Sequence, residues 1–117
     1  MIISESMARV EIREAMRGGK GSVQIAHLNT PLPAAVRLLA TITLMPGSSI
    51  GEHTHTGETE IFRFVSGTGF VLDDGERKPV KPGDTMITLN GHSHGVENDG
   101  TENLVFHASI VLDHPSV

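Results

Sequence analysis

Turn-forming residues recur at short, regular intervals after residue 20, and their spacing most constrains the fold of this chain. The groups rich in Gly, Pro, Asn and Asp lie at residues 29–31, 46–47, 57, 66–67, 73–75, 81–83, 90–91 and 98–100. Strand-length runs between turns that recur about every 8–12 residues are typical of an all-β sandwich or barrel. Among these turns, Asp74-Gly75 suits a two-residue hairpin loop, because Gly tolerates the positive φ that such loops require.

Alternating apolar residues indicate which strand faces point inward. Over residues 36–44 every even position is apolar, whereas the odd positions include Arg37, Thr41 and Thr43. Over residues 104–111 one face again is entirely apolar and consists of Leu104, Phe106, Ala108 and Ile110. We expect both runs to be strands that contribute an inner face to a closed or nearly closed barrel.

The first twenty residues carry a weaker pattern. We expect a short strand at residues 2–3, followed by an irregular or helical segment over residues 5–17. Residues 9–12 alternate as a short strand would, so that reading stays open. A glycine pair at residues 18–19 predicts a break before a strand over residues 22–28. The whole chain is expected to be one domain, with an N-terminal arm (1–20), a barrel (21–112) and a tail (113–117).

Composition removes several classes of function. With a formal charge of -5, the chain lacks the basic surface that nucleic acid or an anionic membrane requires. It has no Cys, which excludes disulfides, thiolate metal sites and thiol nucleophiles. Its first residues lack the features of a secretory leader, and no apolar run approaches the roughly 18 residues of a membrane span. We therefore expect a cytoplasmic protein whose chemistry depends on imidazoles and carboxylates.

Four residues could converge on one metal ion. His53 and His55 are two apart, so both imidazoles of a strand would point to the same face. After the turn at Gly57 the chain returns, and Glu60 can face the same interior; His94, after a second turn, is the fourth candidate. Three imidazoles and one carboxylate suit a divalent ion such as Mn, Fe, Co, Ni, Cu or Zn, with positions left open for a ligand. Burying these groups together without a metal would be costly.

The other candidate groups are predicted to have ordinary roles. His27 is isolated, His107 lies on the mixed face of its strand, and His114 is in the tail, so we interpret all three as surface or hydrogen-bonded residues. His92 could line the entrance of the site, but its position favours a turn. Glu58 could contact a metal ligand without binding the metal itself, although an exposed turn carboxylate is the favoured interpretation.

Two motifs resemble those of the cupins. The first cupin motif, G-x5-H-x-H-x(3,4)-E-x6-G, is met by Gly47, His53, His55, Glu60 and Gly67. The second, G-x5-P-x-G-x2-H-x3-N, is met by Gly83, Gly91, His94 and Asn98, with Leu89 in place of the proline. The resemblance implies an antiparallel jelly-roll barrel of about six to eight strands that binds a metal inside through its three His and one Glu. It also implies a homodimer, often with an exchanged N-terminal strand.

A closer resemblance is to small single-domain cupins described as predicted oxalate decarboxylases, which share the runs at residues 19–25 and 47–55. The two-domain oxalate decarboxylases carry a substrate-binding Arg three residues before the first ligand His, where this chain has Ile50. They also carry a Glu-bearing lid loop, for which the short loops here leave no obvious place. The resemblance therefore implies the fold and the metal, but not the reaction.

Three functions follow as hypotheses. The first is a metalloenzyme of the decarboxylase, oxygenase or isomerase type, in which the ion binds a small carboxylate or sugar acid. Phe62 and Phe64, which share the strand parity of Glu60, and Phe106 are the predicted pocket walls. The alternative is a non-catalytic module that binds a small ligand or the metal. A third hypothesis is a barrel whose metal is only structural.

Overall fold

The computed structural model describes residues 1–114, and within them β-strands dominate. Two short 3₁₀ turns, Glu5–Met7 and Met16–Gly18, flank the first strand. The strands are β1 (Arg9–Glu14), β2 (Ser22–His27), β3 (Val36–Leu44), β4 (Ser49–Thr54), β5 (Glu58–Ser66), β6 (Gly69–Asp73), β7 (Glu76–Val80), β8 (Thr85–Thr88), β9 (Ser93–Glu97) and β10 (Leu104–Leu112). In the same residues, no helix is long and apolar enough to cross a membrane.

The strands form two antiparallel sheets that enclose one apolar core. The larger sheet has the order β1-β2-β3-β10-β5-β8, and the smaller has the order β4-β9-β6-β7. Both sheets contribute to the core: Val23, Phe64 and Leu104 come from the larger sheet, whereas Val71 and Val96 come from the smaller. The predicted all-β, antiparallel jelly-roll architecture is confirmed. Its ten strands exceed the expected six to eight partly because β1 extends the larger sheet.

The alternating runs behave as predicted. In β3 the even positions turn inward, and in β10 the inward face comprises Leu104, Phe106, Ala108 and Ile110, all buried. The two strands pair directly, with Phe106 opposite Ile42 on β3 and opposite Phe64 on β5. Apolar residues on three neighbouring strands thus form one continuous wall of the core.

The N-terminal segment agrees with the alternative reading, a strand at residues 9–12, and not with the favoured one. Residues 2–3 are not a strand, and the segment over 5–17 is not one helix. The strand is instead β1, which pairs with β2 through Val10 opposite Ala26. Pairing with β2 supplies the backbone hydrogen bonds that an isolated strand at residues 2–3 would lack. β1 therefore joins the predicted arm to the larger sheet, and residues 115–117 of the predicted tail lie outside the described part of the chain.

The predicted hairpin at Asp74-Gly75 is present. β6 and β7 pair from Asp73 opposite Glu76, which leaves a loop of two residues. Asp74 and Gly75 have φ of 49° and 84°, and a type I′ turn requires positive φ at both positions. The hairpin completes the edge of the smaller sheet.

Candidate metal centre

The four predicted metal-binding residues converge inside the barrel, and we call them the histidine–glutamate site. His53 comes from β4, His55 follows that strand, Glu60 comes from β5 and His94 from β9. One potential ligand atom from each side chain lies within 4.8 Å of the others. The site therefore draws on both sheets, and it depends on their packing.

A bulge in β4 turns the two neighbouring histidines inward. Ile50 pairs with Val96 and His53 pairs with His94, so three steps on β4 match two steps on β9. The extra residue allows Ile50 and His53, which simple alternation would place on opposite faces, both to point into the barrel. Ile50 is buried in the apolar core, whereas His53 reaches the site.

Distances within the site match the spacing of ligands around one ion. The Nε2 atoms of His55 and His94 are 2.9 Å apart, and Glu60 Oε1 lies 3.0 Å from the first and 3.1 Å from the second. Ligands about 2.1 Å from a metal and at right angles to each other are separated by about 3.0 Å. Three donor atoms are thus close enough together to bind one ion.

Each imidazole is held from behind through its Nδ1 atom. Nδ1 of His53 donates to the carbonyl oxygen of Gly51 at 2.8 Å, and Nδ1 of His55 donates to Glu58 at 2.7 Å. A carbonyl and an ionised carboxylate only accept, so both rings carry their proton on Nδ1 and present the Nε2 lone pair to the site. Nδ1 of His94 is 2.7 Å from the hydroxyl of Thr88, which can donate or accept.

The site therefore concentrates acceptor atoms and favours a cation. Burial opposes ionisation of Glu60, but contact with the imidazole rings of His55 and His94 outweighs burial and lowers the pKa of this carboxyl to about 2. Glu60 raises the pKa of His55, because a protonated His55 can donate to Glu60 through Nε2, whereas burial lowers the pKa of His53. Lone pairs about 3 Å apart repel each other unless a proton or a metal ion lies between them. The donor set fits a divalent ion of borderline softness.

The open side of the site is next to His53. His55, Glu60 and His94 are at most 6% exposed, whereas His53 is half-buried. The 3₁₀ turn Met16–Gly18 packs on β4 here, and a Cβ at Gly51 would lie only 2.0 Å from the carbonyl oxygen of Arg17. Arg17 is exposed, and its positive charge is one of the smaller influences that lower the pKa of His53.

Glu58 corrects one expectation. The sequence favours an exposed turn carboxylate, but the Glu58 side chain is only 13% exposed and bonds to both His55 and Arg37. Burial was underestimated because Arg37, 21 positions earlier in the chain, folds over Glu58. The sequence also does not predict the partners of the other two Nδ1 atoms, the carbonyl of Gly51 and the hydroxyl of Thr88. Neither a glycine carbonyl nor a strand threonine has a distinguishing sequence pattern.

The three predicted wall residues form an aromatic cluster at the site. The ring of Phe62 stacks on that of His94, with centroids 4.8 Å apart and planes 16° apart. Phe64 and Phe106 pack on Phe62 at centroid distances of 6.3 and 4.6 Å. All three rings are buried. Phe62 contacts the site through His94, and the other two rings pack on Phe62.

The side chains of the remaining histidines bond to other residues or are exposed. His27 bonds to Glu11, and His107 bonds to Thr41 on the outer face of the larger sheet. His92 lies in the turn before β9 and pairs with Asp74, so it does not line the four-residue cluster. His114 is exposed at the end of the described residues.

Comparisons with known proteins agree with this architecture. A family profile described as a cupin domain matches residues 40–111. The oxalate-binding protein of Thermotoga maritima is 42% identical over 114 residues, which cover 96% of this chain and 94% of that protein. A germin-like protein of Morus alba is 36% identical over 84 residues, which cover 68% of this chain but only 40% of the relative.

Solved structures show the same fold. A Thermotoga maritima crystal structure described as a predicted oxalate decarboxylase aligns with a TM-score of 0.88 and 42% identity, covering 96% of this chain and 99% of that chain. The polyketide cyclase RemF of Streptomyces resistomycificus aligns with a TM-score of 0.76 but only 19% identity, covering 100% of this chain and 82% of that one. The second likeness concerns the fold alone.

Fold and site together define a small jelly-roll protein whose interior gathers three imidazoles and one carboxylate. The family profile spans more than half of the chain, and the oxalate-binding relative is aligned over nearly all of it. The chain belongs to the cupin family.

Proposed function

We propose that this cupin binds one divalent metal ion through the histidine–glutamate site and that the ion binds a small carboxylate such as oxalate. The convergence of three acceptor atoms, 2.9–3.1 Å apart and each from a different residue, carries this proposal. When bound, the ion supplies a Lewis-acid centre for a ligand carboxylate. Mn, Fe, Co, Ni, Cu and Zn all suit the donor set, and manganese is the ion we would test first.

Charge supports an anionic ligand. The three neutral imidazoles and the single carboxylate of Glu60 leave a divalent ion with one net positive charge. The second nearby carboxylate, Glu58, is offset by the guanidinium of Arg37 at 2.8 Å. Buried aromatic surface on Phe62, with Phe64 and Phe106 behind it, lowers the local dielectric and strengthens attraction to an anion. The oxalate-binding relative supports the same ligand class.

Binding without rapid decarboxylation is the form of the function that we favour. Ile50 occupies the position of the substrate-binding Arg in two-domain oxalate decarboxylases, and its apolar side chain is 4% exposed in the core. A positioned charged donor commonly accounts for about 10²–10³ in rate. A metal-dependent decarboxylase, oxygenase or isomerase is the second candidate, which the relative described as a predicted oxalate decarboxylase supports. A homodimer and a cytoplasmic location remain predictions.

Calorimetric titration of oxalate into manganese-loaded protein tests the proposal, with a carbon dioxide assay on the same sample. We expect one oxalate per bound ion, no heat of binding after the metal is removed, and turnover far below a median enzyme rate of about 10 s⁻¹. Turnover near that rate would establish the decarboxylase instead. Failure of the fully metallated protein to bind any small dicarboxylate or sugar acid would favour a structural metal.

A further inference from the structure

Three side chains, linked by hydrogen bonds, lead from the protein surface to the site. Arg37 on β3 donates two hydrogen bonds to Glu58 at the start of β5, from Nε to Oε1 at 2.9 Å and from Nη2 to Oε2 at 2.8 Å. Oε2 of Glu58 also accepts the Nδ1 proton of His55 at 2.7 Å. The exposed fraction of the side chain falls from 48% for Arg37 to 13% for Glu58 and 5% for His55.

His55 differs from the other two imidazoles in the charge of its acceptor. His53 donates to a backbone carbonyl and His94 contacts a hydroxyl, both of which are neutral. Among the three imidazoles of the site, His55 is therefore the one whose Nδ1 bonds to an ionised acceptor. The guanidinium of Arg37 bonds to both oxygens of Glu58, which makes this acceptor one half of an ion pair. Hydrogen bonds to a charged acceptor are shorter and about twice as strong as neutral ones.

The two hydrogen bonds from Arg37 also fix the orientation of the Glu58 carboxylate. Two parallel bonds to a planar guanidinium hold both carboxylate oxygens in one plane, which an ammonium group or water would not do. The carboxylate in turn holds the ring of His55 in one orientation and keeps the proton on Nδ1. Free imidazole would otherwise exchange between two tautomers, one of which has no Nε2 lone pair to offer a metal.

We propose that Arg37 and Glu58 form a positioning pair that fixes the tautomer and orientation of His55 and strengthens its donation to the ion. The proposal rests on the metal-binding function proposed above. It makes His55 the strongest imidazole ligand of the three, because only its proton is shared with a carboxylate. Glu58 itself does not touch the ion, since the bond to Nδ1 places it on the far side of the ring.

Metal affinity, measured by competition with a chelator, gives the first test. Glu58→Ala should raise the manganese dissociation constant about 10–100-fold, and Glu58→Gln, which keeps an oxygen acceptor but loses the charge, should raise it less. Arg37→Met should weaken binding, and the double variant with Glu58→Ala should bind no worse than Glu58→Ala alone. Arg77→Met is the matched control, because Arg77 is 49% exposed and pairs with Glu97 and Asp99, which are not part of the site.

The tautomer of His55 gives a second readout that does not need the metal. Nitrogen chemical shifts of the metal-free protein, recorded about two pH units above the ordinary histidine pKa of about 6.5, should show the proton on Nδ1. In Glu58→Ala the same ring should become a mixture of tautomers, while His53 keeps its proton on Nδ1. An unchanged tautomer and unchanged metal affinity in both Glu58 variants would overturn the proposal, as would additive losses in the double variant. Absence of metal binding in the parent protein would refute the proposed function, whereas the tautomer would still test the positioning pair.

Discussion

The Nε2 atoms of His55 and His94 lie 2.9 Å apart, although the two residues are separated by 39 positions in the chain. His55 follows β4, and His94 is on β9, which pairs with β4 in the smaller sheet. With its Nδ1 proton directed at Glu58, a neutral His55 presents an Nε2 lone pair to Nε2 of His94, and a proton on His94 or a shared cation would bridge the two atoms. Pairing of β4 with β9 therefore sets these two imidazoles at the spacing of ligands around one ion.

Loss of any one metal-binding side chain should weaken metal binding more than loss of a residue that only bonds to a ligand, such as Glu58. We expect one ion per chain, with imidazole nitrogens about 2.0–2.3 Å away in X-ray absorption spectra. His94→Ala or Glu60→Gln should reduce affinity by more than the roughly 10–100-fold typical of outer partners. His107→Ala, on the outer face of the larger sheet, is the control and should leave affinity unchanged. One ion still bound with parental affinity in His94→Ala would contradict the ligand set.

Metal affinity should fall as the pH falls, because protons compete for the Nε2 lone pairs. Hydrogen bonding to Glu60 raises the pKa of His55, so this ring begins to take up protons above the ordinary value of about 6.5. Burial lowers the pKa of His53, so that ring competes only at lower pH. The loss of affinity should therefore begin above about pH 6.5 and steepen below it. Dissociation constants that stay constant between about pH 8 and 6 would be inconsistent with imidazole ligands.

Removal of the metal should lower the stability of the fold. An ion present at 100 times its dissociation constant adds about 2.7 kcal/mol if the unfolded chain does not bind it. For a domain of this size that corresponds to a fall in Tm of about 10 °C after chelation. Adding chelator to His94→Ala, which lacks one ligand, should change its Tm little. A Tm unchanged after confirmed metal loss from the parent protein would rule out a contribution of this size.

Asn98 should stabilise the fold without affecting the metal. Its buried side chain donates to the carbonyl oxygens of Leu44 and Glu102 and accepts from the amide of Gly100. Asn98→Ala removes three hydrogen bonds and should reduce the free energy of unfolding by about 3 kcal/mol. Urea unfolding of the metal-free protein measures this change, with Asn29→Ala at an exposed position as the control. A loss below about 0.5 kcal/mol would show that water replaces these bonds.

Arg17 should favour anionic ligands at the open side of the site. Its charge reaches His53, and it is exposed rather than buried. Arg17→Gln should weaken oxalate binding about 2- to 5-fold at low ionic strength, and the difference should shrink as salt screens the charge. Arg9→Gln, which removes an exposed arginine from β1, is the charge-matched control. A loss of affinity that is the same at low and high salt would point to altered packing instead.

The convergence of His53, His55 and Glu60 could be predicted because period-2 geometry and one turn decide it. His94 required the second motif, since nothing local relates it to residues that are about 40 positions away. β1 was obscured because its sequence, RVEIRE, alternates but leaves almost every residue exposed, so no face stands out as buried. The role of Glu58 was also hidden, because it depends on contact with a distant arginine that local patterns do not specify.

The bulge between Ile50 and His53 makes the site depend on chain length as well as on residue identity. Deleting the codon for one residue there would restore strict alternation along β4. Either Ile50 would then leave the core, or His53 and His55 would turn toward solvent. Related genes that differ by one codon at this point could therefore encode the same barrel with and without a place for an ion.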